Sequence, residues 1–418
     1  MLPHALAALA ASYLVRAALR WRAHANALRD LHGLTLVRRA AASVVLIANP
    51  IAGLGEAVVV ARAICALAHR MGCRAEVRET RHVGHARQLA AEAASDGFTH
   101  VLSVGGDGQL HEVINGLHDA RALDGVRVGA VPEGTGNGVC TSLGLNTATD
   151  AARAFAADDV VLLDLWAVRA DPPTARPFAC ALSIGWGAVA DIDALAEREW
   201  RWIGPMRTTL IAAGIAARHR SVCGAVWFTP ARAQPDGDMQ RAASHAELVR
   251  ALADGRVRVA EGGPSGCTHV LLDHFFLVHA CNVASIARDC HLAPDARPAD
   301  GSLTLCVVRR RCGRLASAHV LLSLRAAARG APTPTAAGGA GGDEHLERYL
   351  CSQLAIVPAS PAARFAVDGE LIVADRLHAS HALGVRGRPQ LVRVLASPRA
   401  RAGADALPTA HGNLRSER

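Results

Sequence analysis

Between Val44 and Asp164 the apolar positions keep two rhythms in turn. Short β-branched runs, VVLIA (Val44–Ala48), CRAEVRE (Cys73–Glu79), THVLSV (Thr99–Val104) and VRVGAV (Val126–Val131), read as strands. Between them Val60, Ile64, Leu67 and Met71, then Ala86, Leu89, Ala90 and Ala93, then Leu110, Val113, Ile114 and Leu117 recur at helical spacing. Strand–helix alternation predicts an α/β domain, a parallel sheet with helices on both faces. Three glycine-bearing segments, NPIAGLGEA, GGDG and PEGTGNG, fall where successive strands end. Ligands of such sheets bind beyond the carboxyl ends of the strands, so the three should line one crevice.

After Asp164 the texture changes to short strand-like runs separated by polar or Pro/Gly stretches, among them LWAVRA, FACALSI, AVWFTP, HVLLDHFFLVHACNV, LTLCVV and ARFAVDGEL. This predicts a β-rich, sandwich-like second domain. Residues 231–266 lack steady periodicity and 330–343 have linker composition, so both read as insertions. The expected division is a leader or upstream extension over 1–43, an α/β domain carrying the glycine segments over 44–164, a β-rich domain over 165–397, and a disordered tail over 398–418.

Composition narrows the chemistry. Half of the 418 residues are apolar, yet no long run is free of charge, which predicts a soluble protein without a membrane span. The leader is acid-poor and Arg-bearing, as organelle transit peptides are, but a helical extension is the preferred reading. The net charge is +8, and every one of the 45 basic residues is Arg. Arg and Ala are abundant together, so the charge says little about partners, and nucleic acid is not expected. Without Lys a Walker-type G-x-x-x-x-G-K-[ST] loop is excluded, and phosphate must be held by backbone amides, Arg or metal. The 11 cysteines form no C-x-x-C pair, which argues against a disulfide framework or a zinc site and fits a cytosol-like compartment.

The chemistry concentrates at the glycine segments. A carboxylate, Asp107, interrupts a turn otherwise suited to a polyanion. Beside a triphosphate it could bind Mg²⁺ or accept the proton of an attacking hydroxyl. Glu112 fits either a metal or nucleotide contact or a helix-N-terminal acid stabilised by the dipole. Asn49 offers an amide, and Thr135, between Gly134 and Gly136, offers a hydroxyl to a phosphate oxygen.

GGDGQLHEVINGL and PEGTGNG resemble the central motifs of the diacylglycerol-kinase-type lipid kinases. The stretch from Leu182 to Leu210, with its W-G-x-x-A-D-x-D core, is similar to the substrate motif of the sphingosine kinases, and VDGEL (Val367–Leu371) to their last motif. The resemblance runs from about Val44 to about Ala396. It implies an ATP- and Mg²⁺-dependent kinase that phosphorylates the primary hydroxyl of a sphingoid long-chain base, with Asp107 as general base. It also implies nucleotide contacts at Asn49, Pro50, Ile51, Thr80, Gly105, Gly106, Gly108, Glu112, Gly134, Thr135 and Gly136. Phosphate-contacting arginines are implied at Arg201 and Arg207, and a late acidic turn at Asp368, Gly369 and Glu370. Asp193, with Asp191, would recognise the head group, and Ala188 and Val189 would line the pocket. Diacylglycerol kinase, ceramide kinase or a silent binding regulator are the alternatives. The expected location is cytoplasmic with peripheral membrane contact. Ile51, Leu54 and Glu56 stand where the family often has basic residues, and Ala188 where it has a bulky aromatic.

Overall fold

The structure is a computed structural model and describes residues 29–31, 33–37, 42–53, 55–171, 177–198, 206–231, 248–260, 262–327, 345–381 and 391–405. The predicted α/β rhythm is realised as β1 (Ser43–Ala48), α1 (Ala57–Arg70), β2 (Arg74–Glu79), α2 (His85–Ser95), β3 (His100–Gly105), α3 (Asp107–Asp119) and β4 (Arg127–Pro132). Two helices, α4 (Gly138–Ser142) and α5 (Ala148–Ala157), precede β5 (Val160–Asp164). The predicted apolar stripes are the buried faces: Val60, Ile64 and Leu67 on α1, Ala86, Leu89, Ala90 and Ala93 on α2, and Leu110, Val113, Ile114 and Leu117 on α3. Met71 instead closes α1 at its C-cap. A capping box on Thr147 and Asp150 starts α5, satisfying amides that have no partner inside the helix.

The first sheet has six strands in the order β2-β1-β3-β4-β17-β5. β1 to β4 are parallel. β17 (Leu391–Leu395) comes from the far end of the chain and lies parallel to β4, with β5 antiparallel on its other side. The chain thus leaves this sheet after β5 and returns at β17, within the stretch expected for the second domain, to complete it. The reason is visible in the core, where Val392, Val394 and Leu395 are buried with Val128 and Leu163. Leu31, in the expected leader, is buried in the same core, and the expected tail begins with a helix, α9 (Pro398–Asp405).

The second sheet has eleven strands and is antiparallel throughout. Its order is β15-β14-β8-β11-β12-β13-β16-β6-β7, with β9 pairing both β11 and β13. These are β6 (Trp166–Asp171), β7 (Phe178–Cys180), β8 (Ser183–Gly187), β9 (Val222–Pro230), β11 (His269–Cys281), β12 (Leu303–Arg309), β13 (Glu347–Pro358), β14 (Ala363–Val367), β15 (Glu370–Ala374) and β16 (Arg376–His381), with a two-residue β10 (Arg258–Val259) on β11. β11 spans two neighbours in turn: its first half pairs β9, and its second half pairs β8 and β12. The sheet so curls around a core of Trp166, Trp186, Phe228, Phe275, Tyr349 and Phe365. Leu248, Ala251 and Val257, from the segment read as an insertion, are buried in that core, so its C-terminal part is integral to the domain. Residues 232–247, 261 and 330–343 lie outside the described residues. A third apolar cluster forms where α6 (Ala188–Arg198), α7 (Met206–Arg218) and α8 (Gly313–Ala327) cover the other face of β11 and β12. Among the described residues no helix is long and apolar enough to cross a membrane.

Candidate active site

The strand order 2-1-3-4 places a topological switch point between β1 and β3, where neighbouring connections diverge and leave a crevice. The three glycine segments meet there. Asn49 donates its backbone N–H to Val104 O (3.2 Å), and its side chain accepts from Ile51 N (3.1 Å), shaping the first turn. Ile51 itself is 73% exposed, and Thr80 is tied to Ala48 O through its backbone (2.9 Å). The second and third loops touch: a Cβ on Gly134 would lie 2.2 Å from Gly106 Cα, so only glycine permits the approach. Asn137 locks the third loop by accepting from Gly134 N (3.0 Å) and donating to Gly134 O (2.7 Å). Pro50 stands half-buried in the first loop, and Gly136 and the exposed Thr135 in the third.

Asp107 bridges these loops. It is the first residue of α3, and its carboxylate accepts from Gly138 N (3.0 Å) and Val139 N (3.2 Å) at the start of α4. Burial raises its pKa most. The two amides pull it down, the charge of Asp368 pushes up again, and the balance stands at about 6. The group is thus fixed in position, ionised at neutral pH and able to take a proton near neutrality, as a general base must.

The late acidic turn divides its labour. Asp368 is buried and accepts from Ala181 N (2.8 Å), Leu182 N (2.8 Å), Ser183 N (3.0 Å) and Cys180 Sγ (3.0 Å), and its Oδ2 lies 2.9 Å from His111 Nδ1. Its acceptor capacity is spent on the protein, so it ties the domains together. Glu370, beyond the positive-φ Gly369, is the residue that overhangs the crevice: a Cβ on Gly108 would lie 2.6 Å from its Oε1. Glu112 is likewise engaged within the protein. Its two oxygens accept from Gly84 N (2.7 Å) and Ala86 N (3.0 Å), so it caps α2, a neighbouring helix, from α3.

Sequence reasoning missed Arg288. It lies in the loop after β11, donates its backbone N–H to Gly136 O (2.7 Å) and its guanidinium to Pro132 O (3.3 Å). In a chain without Lys it brings a cation from the second domain onto the third glycine loop. No motif announces it, because the contact depends on a bridge between Asn137 and Ala287.

The second-domain residues sit on α6. Ala188 and Val189 join the apolar cluster beneath the helix, Ala188 buried and Val189 half-buried. Asp191 and Asp193 are both half-buried. Two positions on a helix are about 200° apart, so the two carboxylates diverge, whereas a strand would have aligned them. Asp191 faces a cleft with Trp186, Gly187 and Arg220. Arg207 belongs to α7, while Leu54 and Arg201 lie outside the described residues. Among the described residues no group of three His, Cys, Asp or Glu side chains could hold a metal ion.

Comparison with known proteins places this architecture. Residues 43–168 match the family described as diacylglycerol kinase catalytic domain. Sphingosine kinase 1 of Arabidopsis thaliana is 29% identical over 265 residues, 60% of this chain and 52% of that protein. The matched stretch therefore spans about half the plant relative. Sphingosine kinase 1 of Homo sapiens is 26% identical over 71% of this chain and 77% of that protein. The crystal structure of a diacylglycerol kinase from Bacillus anthracis str. Sterne shares the fold, with a TM-score of 0.51 and 16% identity over 86% of this chain and 98% of that one.

Proposed function

From a chain that carries a diacylglycerol kinase catalytic domain and is related in sequence to the sphingosine kinases, we infer a lipid kinase that transfers the γ-phosphoryl group of ATP to the primary hydroxyl of a sphingoid base. The observation that carries the reading is Asp107, held by the amides of Gly138 and Val139 between the three glycine loops with a pKa near 6. Its carboxylate takes the hydroxyl proton as the alcohol oxygen bonds to the γ-phosphorus, and the bond from that phosphorus to the β–γ bridging oxygen breaks, releasing ADP. Little covalent work falls to the protein. It aligns the alcohol and shields charge.

The triphosphate suits the crevice because the glycine backbones of the second and third loops meet there, and Arg288 brings a cation onto the third loop. Mg²⁺, when bound with the nucleotide, would neutralise charge on the phosphates. Kinase sites commonly hold it by the phosphates and one or two carboxylates, and here Glu370, which overhangs the crevice, would be the carboxylate. For the acceptor, α6 offers Asp193 as partner of a protonated amine, with the apolar cluster at Ala188 and Val189 for the chain. Neither diacylglycerol nor ceramide carries that amine.

The test is a labelled-ATP assay against sphingosine, phytosphingosine, ceramide and diacylglycerol. Label transfer to the two free bases, at least about tenfold above the neutral lipids, is expected from the loss of a charge-assisted hydrogen bond. Transfer to diacylglycerol or ceramide alone would replace the substrate assignment, and transfer to none would end the kinase reading.

A further inference from the structure

One polar side chain is buried beneath α6 among apolar neighbours. His279, in the second half of β11, is 2% exposed, and neither ring nitrogen has a hydrogen-bond partner among the described residues. The register sets it opposite Cys306 of β12 and Gly185 of β8. Residues paired directly across an antiparallel ladder share a face of the sheet. Cys306 belongs to the apolar cluster under the helices, as do Leu277 and Cys281, two positions either side of His279. The imidazole therefore enters that cluster. Gly185 makes the room for it: a Cβ there would lie 2.7 Å from Nδ1 of His279 and 3.5 Å from Cγ1 of Val189. The ring thus sits under the first turn of α6, where Val189 closes the cluster from above.

The surroundings do not match this group. The thiol opposite, Cys306 Sγ, donates instead to Leu292 O (3.6 Å). A buried water would need about two to four polar partners, and the side chains of Leu277 and Val189 supply none. Buried polar groups are ordinarily hydrogen-bonded, so an imidazole kept here against that rule points to a partner that arrives with a ligand. Burial lowers its pKa to about 4, which leaves the ring neutral at pH 7, one nitrogen a donor and the other an acceptor. A protonated amine could meet only the acceptor nitrogen and a carboxylate only the donor. A hydroxyl both donates and accepts, so it can match either.

The position of that hydroxyl follows from α6. Val189 and Asp193 are four residues apart on the helix, so they share a face with their Cβ atoms about 5–6 Å apart. The carboxylate that would hold the amine and the unmatched imidazole are therefore separated by about one helical turn. A hydroxyl borne on the alkyl chain just beyond the amine falls in that interval. We propose that His279 reads such a hydroxyl, the 4-hydroxyl of a phytosphingosine-type base, and selects that base over one without it. This rests on the sphingoid-base reading above and adds which base. A slot lined by apolar groups alone gives no preference for the extra hydroxyl, because burying it unpaired is unfavourable.

The experiment compares phytosphingosine with dihydrosphingosine, which differ by the 4-hydroxyl alone, using the full chain and the same detergent micelles. Both kcat/KM and the dissociation constant of each base are measured. The wild type is expected to favour phytosphingosine at least about tenfold in both quantities. His279→Leu should cancel or reverse that preference while using dihydrosphingosine within about threefold of the wild type. A purely structural role would lower the two bases together and leave their ratio unchanged. Thermal unfolding checks that the variant is folded, and the wild-type ratio is decisive without it. Equal use and equal binding of the two bases by the wild type would overturn the proposal, as would a preference that survives in His279→Leu. Selective binding of phytosphingosine with no phosphoryl transfer would end the kinase reading and leave His279 as the selecting residue. Transfer to both bases with no selectivity would do the reverse.

Discussion

His111 on α3 and Asp368 on the β14–β15 turn lie 257 positions apart in sequence, and Nδ1 of one stands 2.9 Å from Oδ2 of the other. The helix that opens with Asp107 is thereby fastened to the second domain. Asn115, one turn further on, repeats the fastening by donating to Ala179 O (2.9 Å) and accepting from Ala179 N (2.8 Å) on β7. The residue proposed as general base and these ties to the second domain thus share one helix.

Removing Asp368 should therefore unsettle both domains. Asp368→Ala strands three buried amides and is expected to cost on the order of 3–5 kcal/mol in chemical denaturation. Burial alone would raise the pKa of Asp368, but His111 and the hydrogen bonds hold it below the usual carboxylate range. Its contribution is accordingly full above the unfolded pKa of about 4 and fades as the pH falls through the lower folded value. A variant with wild-type stability would show that the staple is idle.

Glu112 separates a cap from a ligand. Glu112→Ala should lower stability by about 1 kcal/mol through the lost α2 cap while leaving the KM for ATP within about twofold. A large rise in that KM at unchanged stability would return Glu112 to the nucleotide site.

His279 is a buried imidazole on β11 with neither ring nitrogen hydrogen-bonded among the described residues, and burial lowers its pKa to about 4. Between the unfolded pKa near 6.5 and that value the unfolded chain takes up a proton that the folded one refuses. Stability should then drop by up to about 3 kcal/mol as the pH falls through this window. His279→Leu should unfold at higher temperature at pH 7 and lose part of that acid sensitivity. An unchanged acid profile would mean that the imidazole is satisfied in solution.

The pH dependence of turnover should carry the signature of Asp107. With its pKa near 6, kcat/KM should fall about tenfold per unit on the acid side of pH 6. The same shift has a stability sign: ionising a carboxyl whose folded pKa is raised weakens the fold, so the stability it lends at low pH is lost as the pH rises through about 6. A profile flat through this range would exclude Asp107 as the titrating base.

Much of the first domain was legible because each of its strands and helices has its own period, and Leu110, Val113, Ile114 and Leu117 pack as their spacing requires. What local pattern could not show was long-range. β17 reads as any short apolar strand, and nothing in LVRVL says that its partners are β4 and β5. Arg288 was silent for the same reason. Asp368 was conspicuous as a site acid, but only the fold shows that four donors from residues 180–183 surround it. Glu112 was equally visible, and its partner helix was not.

The role of Asp107 as the base that removes the proton of the acceptor alcohol is tested most directly by single-turnover phosphorylation of sphingosine by Asp107→Asn, with ATP binding measured on the same preparation. The expected result is a rate lower by about 10²–10⁴-fold with the ATP dissociation constant changed only a few-fold. Phosphorylation at the wild-type rate, with ATP bound normally, would contradict it.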